Sequence, residues 1–65
     1  MQDSSGEFTW TIYFRGGVGD YGIGTGVYQW ESEVQRAGQP WGRILVAGDD
    51  SDLANRATKS LVERE

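Results

Sequence analysis

Phe8-Thr-Trp-Thr-Ile-Tyr-Phe14 decides the fold. Phe8, Trp10, Ile12 and Phe14 alternate with Thr9, Thr11 and Tyr13, and every one of the seven favours strands. A period of two sends the four large apolar side chains to one face, which must be covered. The cover is supplied further along, at Gly48-Asp-Asp-Ser51, where an N-cap at Asp50 or Ser51 starts a helix predicted over about 52–64. At 100° per residue Leu53, Ala54, Ala57 and Leu61 share one narrow stripe, predicted to pack on strand one, with Asn55, Arg56, Lys59 and Glu63 outside.

Between them lies a glycine-rich segment, Gly16 to Gly26. Gly16 to Asp20 has the chemistry of a hairpin turn, since Gly and Asp supply positive φ. A second strand is predicted from about Tyr21 to Glu33, with Gly22, Gly24, Gly26, Tyr28 and Trp30 on one face and Tyr21, Ile23, Thr25, Val27 and Gln29 on the other. Trp10 and Phe14 are the rings available to lie across that glycine stripe. Val34 to Gly42, with Gly38, Pro40 and Gly42, reads as a loop, and Arg43-Ile-Leu-Val-Ala47 as a third strand. Met1 to Glu7 has the composition of a polar tail. The expectation is a tail over 1–7 and one α+β domain over 8–65 of order β-β-β-α: a three-stranded antiparallel sheet with one C-terminal helix on one face.

Sixty-five residues allow one core. Burial in a chain this small contributes on the order of 95 kcal/mol, and ordering it costs about the same, so a partner subunit is an expected source of stability. Cys and His are both absent, which excludes disulfides, thiol catalysis, histidine-dependent triads and the usual zinc sites. With ten acids against six Lys and Arg, net −4, no broad basic surface is available and nucleic acid is disfavoured. No stretch is apolar enough for a membrane span and no leader is recognisable, so a soluble cytoplasmic chain is expected.

Few motifs carry chemistry. Gly17-Val-Gly-Asp-Tyr-Gly22 matches the dinucleotide fingerprint, but the chain runs on into a β pattern instead of opening a helix, so hairpin geometry is the better reading. Asp49, Asp50 and Asp52 have the donor type of a hard-cation site without its loop spacing, and helix capping explains them. Glu31 and Glu33, two apart on a strand, read as an exposed edge. No cofactor and no catalytic residue is predicted.

The aromatic residues are more informative. One helix covers one face, yet both parity sets of strand two carry apolar side chains. The uncovered face is predicted to bind a protein partner or a second copy, with Tyr13, Tyr21, Ile23, Val27, Tyr28, Trp30 and Trp41 as contact residues.

The order of elements, with Trp10-Thr-Ile-Tyr-Phe-Arg-Gly-Gly17, Gly22-Ile-Gly-Thr-Gly-Val-Tyr28 and Ala54-Asn-Arg-Ala57, resembles the opening β-β-β-α segment of ribonuclease-H-like folds. Arg15 stands where that family has a metal-binding aspartate, so the resemblance implies a non-catalytic version. HicB-type antitoxins are similar to a truncated form of the fold, and small phage anti-CRISPR inhibitors look alike in size and acidity. The resemblance implies an inhibitor or antitoxin-like role, by occlusion of a partner. The alternative is RNA binding on the β surface through Tyr13, Tyr21, Tyr28 and loop arginines.

Overall fold

A computed structural model describes residues 1–18 and 27–65, and these form four strands and one helix. They are β1 (Gln2–Ser5), β2 (Phe8–Val18), β3 (Val27–Arg36), β4 (Gln39–Ala47) and α1 (Ser51–Val62). The sheet has the order β1-β2-β3-β4 and every neighbouring pair is antiparallel. The α+β class and the single C-terminal helix on an antiparallel sheet are as expected; the sheet has four strands, not three.

The extra strand is the segment read as a tail. Gln2 to Ser5 has little β propensity, but β2 offers it a ladder from Phe8 to Thr11, and the Ile12 amide donates to the Met1 carbonyl at 2.8 Å. Gly6 closes the two-residue hairpin at φ 59°, the positive value that the first position of a type II′ turn requires.

Other boundaries move too. Gly16 and Gly17 belong to β2, not to a turn: Gly16, at φ 111°, sits where the β2–β3 register shifts. Of the expected second strand, Val27 to Glu33 lies in β3; Tyr21, Ile23, Thr25 and the glycines at 22, 24 and 26, like Gly19 and Asp20 of the expected turn, lie outside the described residues. Val34 to Gly42 is not a loop. Strand β3 runs on to Arg36, Ala37 and Gly38 turn the chain with φ 50° and 80°, and β4 starts at Gln39. Positive φ at both central residues is the type I′ pattern that matches strand twist. A second register shift falls between Val34 and Gln35, opposite Trp41.

The core lies between sheet and helix: Phe8, Trp10, Ile12 and Val34 from the strands, Ala54 and Val62 from α1, with half-buried Trp30, Ile44 and Val46 around them. Asp50 caps α1, its carboxylate accepting from the Leu53 amide at 3.0 Å. The inward stripe is Ala54, Thr58 and Val62: Ala54 is buried as expected, but Thr58 and Val62 join it in place of Leu53, Ala57 and Leu61, and Leu53 and Leu61 stay 39 % and 41 % exposed. Size explains the choice. Alanine and threonine let the helix backbone come close to Trp10 and Ile12, which leucines in the same places would hold off.

Candidate partner-binding surface

Strand β2 is longer than its cover. Eleven residues at about 3.3 Å each give about 36 Å of strand; a 12-residue helix at 1.5 Å per residue spans about 18 Å. The helix begins close to Trp30, whose indole N–H donates to the Gly48 carbonyl at 3.2 Å, and ends near Ser5, which donates to Glu63 at 3.3 Å. Phe14 and Tyr28 lie past its first turn, on the same sheet face as the core.

Those two rings and Trp30 form one cluster. Phe14 meets Trp30 edge-on with centroids 5.0 Å apart and Tyr28 at 5.8 Å. Tyr28 also lies over Gly17, where an added Cβ would sit 3.8 Å from the ring, ordinary contact. Phe14 is 56 % exposed and Tyr28 47 %, so the cluster is half-buried at Trp30 and open on its outer side. Phe14 was expected under the helix and stands outside it.

The opposite sheet face differs from the expectation. It is lined among the described residues by Gln2, Ser4, Thr9, Thr11, Gln29, Glu31, Glu33 and Gln35, with Tyr13 and Leu45 as its large apolar members. A shallow polar trough runs along it between β1, β2 and β3. That face is wettable, so the predicted surplus of apolar side chains there is corrected. Glu31 is not on an edge either: it is buried on a central strand between Tyr13 and Leu45 and pairs with Arg15 at 3.6 Å.

The predicted contact residues therefore separate. Tyr28 and Trp30 share the aromatic cluster. Tyr13 stands alone on the polar face. Trp41, at the β4 bulge, rests edge-on against Phe8 with centroids 5.1 Å apart, near one end of the sheet and away from the cluster. Tyr21, Ile23 and the side chain of Val27 lie outside the described residues. Phe14 is the residue sequence reasoning missed as a contact; no sequence signal marked it, because the extension of β2 through Gly16 to Val18 and the place of α1 along it are set only in the fold.

Charged groups are mostly engaged in the fold. Arg36 pairs with Glu7 and its guanidinium lies 5.0 Å from the Phe8 ring centroid; Asp52 pairs with Arg56 at 3.1 Å. Asp50 caps the helix instead of standing free as a cation ligand. Asp3 has its carboxyl held below its ordinary value, first by the hydrogen bond from Asn55, then by the Ser4 amide and the charge of Lys59. Among the described residues no helix is long and apolar enough to cross a membrane. Comparison with protein-family models, curated proteins and solved structures finds no match for this chain.

Proposed function

We propose that this chain is a non-enzymatic protein-binding module, of the inhibitor or antitoxin-like kind, that acts by occluding a partner. Its contact surface is the aromatic cluster of Phe14, Tyr28 and Trp30, in place of the sheet face. The observation that carries the reading is the exposure of two tilted rings, Phe14 and Tyr28, beside a half-buried tryptophan, the composition and geometry of an interface anchor. The net charge of −4 favours encounter with a cationic partner surface. The RNA reading is weaker, because Arg15 and Arg36, two of the arginines it would use, already pair with Glu31 and Glu7.

The test is recovery of the tagged chain from its native host, with mass spectrometry of what copurifies, run beside Phe14→Lys and Tyr28→Asp. Both positions are exposed, so both variants should keep the wild-type circular dichroism. A protein recovered with the wild type and lost with both variants supports the reading. Equal recovery by all three overturns it, and a shift of single-stranded RNA at tens of micromolar protein would favour the alternative.

A further inference from the structure

Strand β4 is an open edge. It pairs with β3 on one side, and no described strand lies on its other side. Edge strands in monomers are commonly blunted by prolines, bulges or charges. Here Pro40 and the bulge at Trp41 protect only the first half. Arg43 to Ala47 pairs in regular register and is apolar from Ile44 on, and Leu45 at its middle is 65 % exposed. The other edge, β1, is four polar residues long.

The helix adds to the same side. Asn55 and Glu63 reach β1 through Asp3 and Ser5. The stripe of Leu53, Ala57 and Leu61 lies about 100° back around the helix from the buried one, and so faces β4. Leu53 packs over Gly48, so close that a Cβ there would displace it. An unpaired strand edge and an apolar helix stripe thus share one border of the molecule.

From this juxtaposition we infer that β4 is a homodimer interface, in which a second copy of this chain pairs antiparallel with it about a two-fold axis at Leu45. Charge selects a second copy in this orientation. Arg43 is the one charged residue of β4, and the strand runs directly into Asp49 and Asp50. Antiparallel pairing about Leu45 sets Arg43 opposite Ala47 of the other copy, at the strand end that leads through a bend into that copy's Asp49 and Asp50, so cation and acids share one border. Parallel pairing would stack cation on cation and acid on acid. The result is a continuous eight-stranded sheet with a β1 edge at each end, which closes the contact and leaves only the short polar edges free.

The surface differs from the aromatic cluster, so this inference does not rest on the proposed function. One strand edge with one flanking stripe is at the lower end of interface sizes, which predicts micromolar affinity. Sedimentation equilibrium of the full chain from about 1 to 500 µM should show mass rising from 7.2 kDa towards twice that value. Leu45→Lys sets two ammonium groups against each other on the axis and should hold the mass at that of one chain, with unchanged circular dichroism. Leu53→Gln with Leu61→Gln should weaken association tenfold or more, and Phe14→Lys should leave it unchanged. Because the chain has no cysteine, Leu45→Cys should give a dimer-linking disulfide under mild oxidation. A single-chain mass at 500 µM overturns the inference. A dimer that survives Leu45→Lys also overturns it, and one lost with Phe14→Lys places the contact at the aromatic cluster.

Discussion

Trp10 donates its indole N–H to the side-chain oxygen of Asn55 at 2.7 Å, across the boundary between sheet and helix. Asn55 then donates from its amide nitrogen to Asp3 at 2.8 Å, and Asp3 accepts from the Ser4 amide at 2.8 Å. One asparagine therefore joins β2, α1 and β1. It satisfies the polar tip of the largest buried side chain, and it ties down a strand whose own residues have little reason to be extended.

Removing that joint should be costly. Asn55→Ala leaves the Trp10 N–H without its partner and should lower stability by about 1–3 kcal/mol, read as a fall in the urea midpoint with unchanged slope. Asp3→Ala in the same background should cost less than it does alone, because the chain of hydrogen bonds is already broken. Additive losses would show that the two contacts act separately.

Asp3 gives a pH signature. Its folded-state pKa is depressed, chiefly by the hydrogen bond from Asn55. The carboxylate's contribution is therefore fully present above the unfolded-state pKa and is lost as pH falls through the folded-state one. Thermal melts from pH 7 down to pH 2 should show wild type and Asp3→Asn differing at neutral pH and converging in acid. A gap that stays constant would contradict the assignment.

Ser32 is buried on the helix side of β3 with its hydroxyl unpartnered, between Ile12 and Ile44 across the strands. A buried hydroxyl without a hydrogen bond is a net cost. Ser32→Ala should be neutral or stabilising by up to about 1 kcal/mol, measured by urea unfolding. A clear loss would mean that the hydroxyl has a partner.

The β3–β4 turn asks for positive φ at two positions, and only one holds glycine. Ala37→Gly or Ala37→Asn should stabilise by about 0.5–1 kcal/mol, and Gly38→Ala should destabilise by about 1 kcal/mol. Chemical denaturation of the three variants checks both signs.

Much of this architecture could be read directly from residues. The alternation from Phe8 to Phe14 specified a strand and its inner face, and the acidic cap at Asp50 specified where the helix starts, because both depend on local geometry. Glycines misled where they marked a bulge at Gly16 instead of a turn, since a bulge is defined by the partner strand. Gln2 to Ser5 could not be read as a strand, because its pairing comes from the exposed edge of β2 and from Asp3 reaching Asn55. Phe14, the outermost ring of the candidate site, could not be read as exposed until the position of α1 along β2 was known.

Local pattern and composition were enough for an antiparallel sheet with a C-terminal helix, for the lack of thiol and imidazole groups, and for more aromatic side chains than a small core needs. Which residues of α1 turn inward came from packing. Hydropathy groups Ala54 with Leu53, Ala57 and Leu61, whereas the fold groups it with Thr58 and Val62. Close approach to Trp10 requires the smaller Ala54 and Thr58, so packing overrode hydropathy and left the leucines facing the border of β4.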